Sequence, residues 1–322
     1  MKISALLSLS VVVPVYNSQA TLHELVSRLG KALPELTDTF EVLLINDGSR
    51  DDSWGEITRL AREYPWVRGI NMMRNYGQHN ALLCGLRNAR YAVTITMDDD
   101  LQHPPEEIHK LVEKYRQGFD VVYGVPVRLP HSPMRNFFSW ITKRTLAFVM
   151  GISTVREISA FRCFRTSLRH AFENYQSPNV IIDVLLSWGT TNFGSTRVEE
   201  KERQVGQSNY NFSRLAAQAM FILTGFSTAP LRFTSYLGFG FTLFGIGIFI
   251  YVVTAYLLQG SIPGFPFLAS IISIFSGVQM FALGILGEYL GRVFDRSMDR
   301  PTYVIDEITE QVSVGELAEP ER

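Results

Sequence analysis

Residues 94–107 read TITMDDDLQHPPEE, and this stretch decides the fold class. An apolar, β-branched run ends at three consecutive carboxylates, and a pair of prolines then precedes a new helix start. In open α/β sheets, ligands bind at the carboxyl ends of the strands. Asp98, Asp100 and the carbonyl group of Gln102 are spaced so that one turn could direct them at a Mg²⁺ or Mn²⁺ ion. A solvated turn that caps the next helix explains the same residues, so both interpretations stay open on this stretch alone.

The composition of the chain narrows the function classes. Its 322 residues carry 30 basic and 31 acidic side chains, and this balance argues against bulk attraction to nucleic acid. The two cysteines, Cys84 and Cys163, lie far apart without a metal-binding motif, which indicates a reducing compartment and no zinc site. The apolar run from Leu6 to Tyr16 lacks a small-residue cleavage site, so we interpret it as the first strand and not as a signal peptide.

Buried strands alternate with helices over the first 125 residues. This alternation predicts a doubly wound, mostly parallel α/β sheet with functional loops at the carboxyl ends of its strands. The predicted strands are Leu9–Val15, Phe40–Ile45, Val67–Met72, Tyr91–Met97 and Asp120–Val125, and helices are predicted at Thr21–Leu36 and Ala81–Ala89.

The last third of the chain contains two long uncharged runs, Phe233–Leu258 and Phe265–Leu286. Each exceeds the ~20 residues that span a bilayer, so the sequence predicts a two-helix transmembrane hairpin with the short linker 259–264. Arginines flank both outer ends, at positions 214, 232, 292, 296 and 300. The positive-inside rule therefore places the N-terminal domain and the C-terminal tail in the cytoplasm.

Two segments mix basic residues with aromatic or apolar ones, at 132–150 and 209–229. Such a pattern is typical of amphipathic helices at a membrane interface. A helix docked on the sheet is the alternative for the first segment, and the membrane segments that follow favour the interface. The predicted organisation is an α/β domain at 1–208, amphipathic helices at 209–232, two transmembrane helices at 233–290 and a cytoplasmic tail at 291–322.

A series of short motifs carries a family resemblance. In chain order they are VVPVYN (12–17), NDGS (46–49), RNYG (74–77), DDDLQHPP (98–105), FR (161–162), RQVGQS (203–208), PLR (230–232) and LGEYLGR (286–292). In this order, with two terminal spans, the chain resembles the family 2 inverting glycosyltransferases of the polyprenyl-phosphate type. That family includes dolichol-phosphate mannose synthases, bactoprenol glucosyltransferases and undecaprenyl-phosphate aminoarabinose transferases.

The resemblance implies a GT-A-like fold and a membrane enzyme that moves a sugar from a nucleotide donor, expected to be UDP-linked, to a polyprenyl phosphate of the undecaprenyl type. It also implies a Mg²⁺ or Mn²⁺ cofactor, action at the cytoplasmic face of the inner membrane, and a homo-oligomer, expected to be a tetramer. Two alternatives stay open. One is a processive polysaccharide synthase of the same broad fold, and the other is a non-catalytic membrane scaffold that binds nucleotide sugars.

The resemblance also assigns roles to individual residues. The nucleotide-sugar pocket is expected to include Pro14, Tyr16, Ser18, Ile45, Asp47, Asp98 and Asp99, with Asp47 receiving the base. The expected metal ligands are Asp98, Asp100 and Gln102, and the expected acceptor-phosphate residues are Arg128, Arg135 and Arg162. The residues expected to act in catalysis are Asp100, Arg128, Arg135 and Arg203, with Arg203 on a loop that closes over the donor diphosphate.

The chain departs from the family pattern at two positions. Ser18 stands where the family often has Glu, and Ala160 stands where some relatives carry an Asp proposed as a base, with Glu157 nearby but out of register. The second departure is tolerable, because a phosphate monoester has a second pKa near ~6 and is mostly dianionic at neutral pH. Such an acceptor needs arginines that hold it in line, and no general base.

Overall fold

The computed structural model describes residues 7–127, 158–177, 179–200, 224–259 and 264–309. The chain divides into two compact units, Met1–Phe212 with Arg300–Arg322, and Ser213–Asp299. The candidate interface helix at 132–150, most of the amphipathic segment 209–229 and the linker residues 260–263 lie outside the described residues.

The first unit is built on a sheet that has eight strands within the described residues, with helices packed against it. Its strands are β1 (Ser8–Val15), β2 (Thr39–Asn46), β3 (Val67–Met72), β4 (Val93–Thr96), β5 (Val121–Pro126), β6 (Arg162–Arg165), β7 (Phe193–Val198) and β8 (Ile305–Ile308). Its helices are α1 (Gln19–Ala32), α2 (Ser53–Glu63), α3 (Gln78–Asn88), α4 (Ile108–Arg116) and α5 (Ile182–Gly189), with 3₁₀ turns at Pro105–Glu107 and Thr166–Phe172.

The strand order is β7-β5-β6-β4-β1-β2-β3-β8. Strand β1 lies parallel to both β2 and β4, β2 lies parallel to β3, and β5 lies parallel to β7. Strand β6 is antiparallel to β4 and β5, and β8 is antiparallel to β3. The predicted mostly parallel α/β sheet is therefore confirmed. Strands β6, β7 and β8 are additions that the sequence patterns did not predict.

Helices on both faces bury the central strands, which explains their continuous apolar sequences. Every residue of β1 from Leu9 to Val15 is buried, and α1 buries the apolar face that the sequence presents at helical spacing, Leu22, Leu25, Val26 and Leu29. Helix α3 approaches β1 closely at Gly85, where an added Cβ would lie 2.3 Å from Cγ1 of Val12. Because β1 pairs in parallel with β2 and β4, the carboxyl ends of these three strands meet at one edge of the sheet.

The tail beyond the hairpin returns to the sheet of the first unit. Strand β8 pairs with β3 through Ile70 opposite Ile308 and Asn71 opposite Glu307, with a register shift after Asn71. The amide of Met73 extends the ladder by donating to the carbonyl group of Val304 at 3.0 Å. Residues that the sequence analysis assigns to a plain C-terminal tail thus form an edge strand of the α/β domain.

The second unit contains two long helices, α6 (Ala229–Gln259) and α7 (Phe265–Ser297). Their apolar windows, Ala229–Leu258 and Ile274–Ser297, are long enough to cross a membrane, and Thr234 is the one buried exception among the described residues of the two windows. So much unburied apolar surface requires a lipid or protein cover, which agrees with the predicted hairpin. Helix α7 continues beyond the uncharged run that ends at Leu286 and includes charged residues up to its last residue, Ser297. Asp299, just after the helix, adopts a φ of 47°.

A buried ion pair ties the amino-terminal half of the sheet together. The carboxylate of Glu41 on β2 accepts hydrogen bonds from Ser10 Oγ on β1 at 2.7 Å and from Arg68 Nη1 on β3 at 2.8 Å, and it also accepts the amide of Arg90 at 2.7 Å. We expect Glu41→Ala to lower the free energy of unfolding by about 3–5 kcal/mol, because it leaves the Arg68 guanidinium buried without its countercharge.

The fall in Tm of the detergent-solubilised protein measures this effect. The matched control is Glu24→Ala, which removes one exposed carboxylate partner of Arg28 while Glu106 keeps its own pair with that arginine, and it should change stability by no more than about 0.5 kcal/mol. Equal Tm values for the two variants would contradict a stabilising role for the buried pair.

Candidate active site

A cavity of about 260 Å³ opens at the carboxyl ends of β1, β2 and β4. The loops that follow these strands supply its walls, together with the loop between β3 and α3. Its lining residues are Pro14, Val15, Tyr16, Asp47, Asn75, Gly77, Gln78, Asp98, Asp99 and Asp100. Six residues expected in the nucleotide or metal site therefore come together: Pro14, Tyr16, Asp47, Asp98, Asp99 and Asp100.

Asp99 ties the acidic loop to the loop after β1. Its carboxylate accepts the backbone amide of Tyr16 at 3.1 Å, and its backbone carbonyl accepts Thr21 Oγ1 at 2.8 Å. Burial raises the pKa of Asp99 to about 6, the Ser18 hydroxyl and the Tyr16 amide act against this rise, and the neighbouring carboxylates add to it. Ser18 therefore supports Asp99 and is not among the residues that line the cavity.

Asp98 and Asp100 are held by contacts with neighbouring amides. Gln78 Nε2 donates to Asp98 Oδ1 at 2.6 Å, and the amide of Gln102 donates to Asp100 Oδ1 at 3.1 Å. Directly after Asp100, Leu101 adopts a φ of 62°, which is costly for a bulky side chain. Burial of the Leu101 side chain in the core stabilises this turn and fixes the carboxylates beside the cavity.

The chemistry of these oxygen donors fits a hard divalent cation. No group of three or more His, Cys, Asp or Glu side chains suited to a metal occurs in the part of the chain that the structure describes. A Mg²⁺ ion commonly binds one or two carboxylates, with waters and substrate phosphates filling its other positions. Asp98 and Asp100 can supply these one or two carboxylate ligands, and the role of Gln102 as a third protein ligand stays a prediction.

Asp47 connects the turn after β2 to the loop after β3. Its two carboxylate oxygens accept the amides of Tyr76 at 2.7 Å and Gly77 at 2.9 Å. Burial raises the pKa of Asp47, and these two amides oppose that rise. The carboxylate thus positions the 74–77 loop, and it also lies on the cavity wall where the sequence analysis expects a nucleotide base.

Two predicted contact residues lie inside the core. The side chain of Ile45 is fully buried within the sheet, which excludes direct contact between it and a nucleotide. Arg162 is only 2% exposed, and its Nη1 atom donates to Asp183 Oδ1 at 2.6 Å. The hydroxyl group of Tyr123 donates to the same oxygen at 2.9 Å, and burial raises the pKa of Tyr123 well above its usual value. Arg162 therefore joins β6 to α5 in place of the predicted contact with a lipid phosphate.

Other predicted residues lie outside the described residues, namely Arg128, Arg135 and Arg203. In contrast, the structure adds Asn75, Gly77 and Gln78 to the cavity wall. The sequence offered a signal for them, because RNYGQH directly follows a predicted strand. The sequence analysis assigned no ligand contact to these residues, because a polar loop after a strand can also serve only as a connection.

Comparison with protein families identifies the class. Residues 10–174 match the family described as glycosyl transferase family 2, which covers about half of the chain and all of the acidic cavity. The chain therefore belongs to glycosyl transferase family 2. It is accordingly a glycosyltransferase, and the predicted family and enzyme class are confirmed.

Curated relatives match over nearly the full length. The chain is 36% identical over 304 residues to an undecaprenyl-phosphate 4-deoxy-4-formamido-L-arabinose transferase of Shewanella sediminis, which spans 93% of this chain and 92% of that protein. A protein of the same name from Klebsiella pneumoniae is 34% identical over 306 residues, or 94% of each chain. These matches include the helical hairpin as well as the sheet.

Solved structures confirm the fold. Glucosyl-3-phosphoglycerate synthase of Mycobacterium tuberculosis, crystallised with Mn²⁺, UDP-glucose and phosphoglyceric acid, aligns with a TM-score of 0.51. The alignment covers 68% of this chain and 78% of that chain at 16% identity. At this identity the likeness concerns the GT-A-like sheet alone.

Gly48, which follows the cavity residue Asp47, packs against the backbone of the 74–77 loop. It has a φ of +61°, and an added Cβ would lie 2.4 Å from the amide nitrogen of Asn75. We expect Gly48→Ala to lower turnover by at least ~10-fold, because the clash pushes the 74–77 loop away from Asp47 at a cost of ~1–3 kcal/mol on top of the backbone strain.

The matched control is Gly118→Ala, which has a φ of +100° but no atom within 4 Å of the added Cβ. It introduces comparable backbone strain far from the cavity and should keep turnover near the wild-type rate. If both variants lose activity equally, the clash with the loop is not the cause.

Proposed function

We propose that this glycosyltransferase moves a sugar from a UDP-linked donor to undecaprenyl phosphate at the cytoplasmic membrane face, forming a lipid-linked sugar for envelope modification. The observation that carries the proposal is the match to curated relatives over 93% of the chain, because it joins the acidic cavity and the hairpin in one alignment. The sugar named for those relatives, 4-deoxy-4-formamido-L-arabinose, is the first donor sugar to test.

The reaction is a single displacement at the anomeric carbon. An oxygen of the lipid phosphate forms the new bond as the bond to the nucleoside diphosphate breaks, which inverts the configuration. A bound Mg²⁺ or Mn²⁺ ion would neutralise charge on the leaving diphosphate. Asp98 and Asp100 would hold that ion, while the loop bound by Asp47 would receive the nucleotide.

The acceptor requires positive charge, because a phosphate monoester is mostly dianionic at neutral pH. Arg128 and Arg135 are proposed to bind it bidentately, and Arg203 is proposed to close over the donor diphosphate. These three roles rest on the family resemblance. A tetrameric assembly also remains part of the proposal.

The decisive experiment incubates the purified enzyme with undecaprenyl phosphate, a panel of nucleotide sugars and limiting Mn²⁺ or Mg²⁺. Mass spectrometry of the lipid should show a single added sugar. We expect Asp100→Asn to lower this turnover at least ~10²-fold through lost stabilisation of the leaving group.

The charge-matched control is Asp38→Asn, an exposed residue just before β2 at the opposite end of the strand, which should keep wild-type turnover. Products with several sugars would support a processive synthase instead. Nucleotide-sugar binding without any product would support the non-catalytic scaffold.

The hairpin fixes the expected membrane topology. The pairing of strand β8 with the sheet supports a topology in which the tail and the α/β domain share one side of the membrane. The proposed donor is an intracellular nucleotide sugar, so we infer that this side is the cytoplasm. We therefore expect a cysteine at Ser261 to react with an impermeant thiol reagent in intact cells, and a cysteine at Ser313 to react only after lysis.

The wild-type chain is the background control for this labelling. Cys84 and Cys163 are both buried, so the unmodified protein should react weakly in intact cells and in lysate. Labelling of Ser313→Cys from outside would contradict the cytoplasmic assignment and with it the route to the donor.

A further inference from the structure

The C-terminal strand contributes a side chain to a polar network that reaches the cavity. Asp306 on β8 accepts Nδ2 of Asn71 at 3.0 Å. The Oδ1 atom of Asn71 accepts Nδ2 of Asn46 at 2.7 Å, and Oδ1 of Asn46 accepts the amide of Ser49 at 3.4 Å. A continuous series of side-chain hydrogen bonds thus runs across three adjacent strands, from β8 through β3 to β2 and the turn after it.

The same turn touches the loop after β1. Ser49 Oγ accepts the amide of Asn17 at 3.0 Å, and Asn17 Oδ1 accepts the amide of Arg50 at 2.7 Å. Asn17 has a φ of 54° and directly follows the cavity residue Tyr16. The turn after β2 therefore sets the backbone path of both Asp47 and Tyr16.

The end of this network decides its direction. A carboxylate only accepts hydrogen bonds, whereas an amide side chain can present either its oxygen or its nitrogen. Asp306 therefore requires Asn71 to turn its nitrogen outward, which leaves the Asn71 oxygen for Asn46. Asn46 must then present its own oxygen to Ser49. Without Asp306, only the amide of Ser49 still orients the two side chains, through a long hydrogen bond of 3.4 Å, so Asn71 and Asn46 are held less firmly.

We propose that Asp306 is a positioning residue for the donor pocket, acting through Asn71 and Asn46 on the turn that holds Asp47. Through this one side chain, the tail strand supports the donor pocket from a distance. The neighbouring Glu307 serves as a built-in comparison, because its Oε2 accepts Trp54 Nε1 at 3.2 Å and so leads to α2 and not to the cavity. The identity of the donor rests on the proposed function.

The test compares Asp306→Ala, Asp306→Asn and Glu307→Ala in the full-length enzyme. Loss of the directing acceptor should raise the KM for the nucleotide sugar about 3- to 10-fold in Asp306→Ala, the scale of one lost hydrogen bond. The KM for the lipid phosphate should not change. Asp306→Asn should give a KM between those of the wild type and Asp306→Ala, because its amide oxygen can accept from Asn71 but its amide nitrogen can also face Asn71. Glu307→Ala should match the wild type in both constants.

Hydrogen exchange gives a readout that does not depend on any substrate. The amides of residues 46–53 should exchange faster in Asp306→Ala than in the wild type, with no such change in Glu307→Ala. Unchanged exchange, an unchanged donor KM, or equal effects of the two alanine variants would overturn the proposal. If the wild type makes no lipid product but Asp306→Ala still exchanges faster than the wild type at residues 46–53, the proposed function is refuted and the positioning role stands.

Discussion

The parallel pairing of β1 with both β2 and β4 is the constraint on which the candidate site depends. Val15 lies opposite Asn46, and Val12 lies opposite Thr96, so the three strands end near a common edge. Backbone bonds fix where each loop departs, since the amide of Asp47 donates to the carbonyl of Val15 at 2.9 Å. A shift of one residue in either pairing would turn buried side chains to the opposite face and separate the acidic groups. The buried apolar faces of these strands therefore specify the positions of the carboxylates.

The cavity gathers negative charge without a basic residue on its wall, as far as the described residues reach. Three successive carboxylates repel one another, and neighbouring amides offset part of that cost by donating to Asp98, Asp99 and Asp100. An anionic donor would be repelled by this wall unless positive charge arrived with it or from another segment. The electrostatics thus explain why a divalent cation and arginine-bearing loops are the expected complements of this cavity.

The sequence was informative where one local pattern determined the outcome. Buried β-branched runs predicted the central strands, and acids at a strand end predicted the cavity. Sequence reasoning failed where position depended on long-range packing. Ile45 ends a strand beside Asn46 yet points into the core, and Arg162 is paired with Asp183 across 21 positions. Strand β8 could not be recognised from its four residues, Ile-Asp-Glu-Ile, because only the free edge of β3 makes them a strand.

Strand β8 also imposes an order on biogenesis. Thr309, the residue directly after β8, accepts the amide of Gly69, a partner 240 positions earlier in the chain. During synthesis the β3 edge must therefore stay uncovered while both membrane helices leave the ribosome, a delay of roughly 10–50 s at ~5–20 residues per second. The sheet is completed only after the hairpin has been made. A chain that ended before its last strand would leave the edge of β3 open to proteases and chaperones. The fold thus makes a complete sheet conditional on synthesis of the whole hairpin.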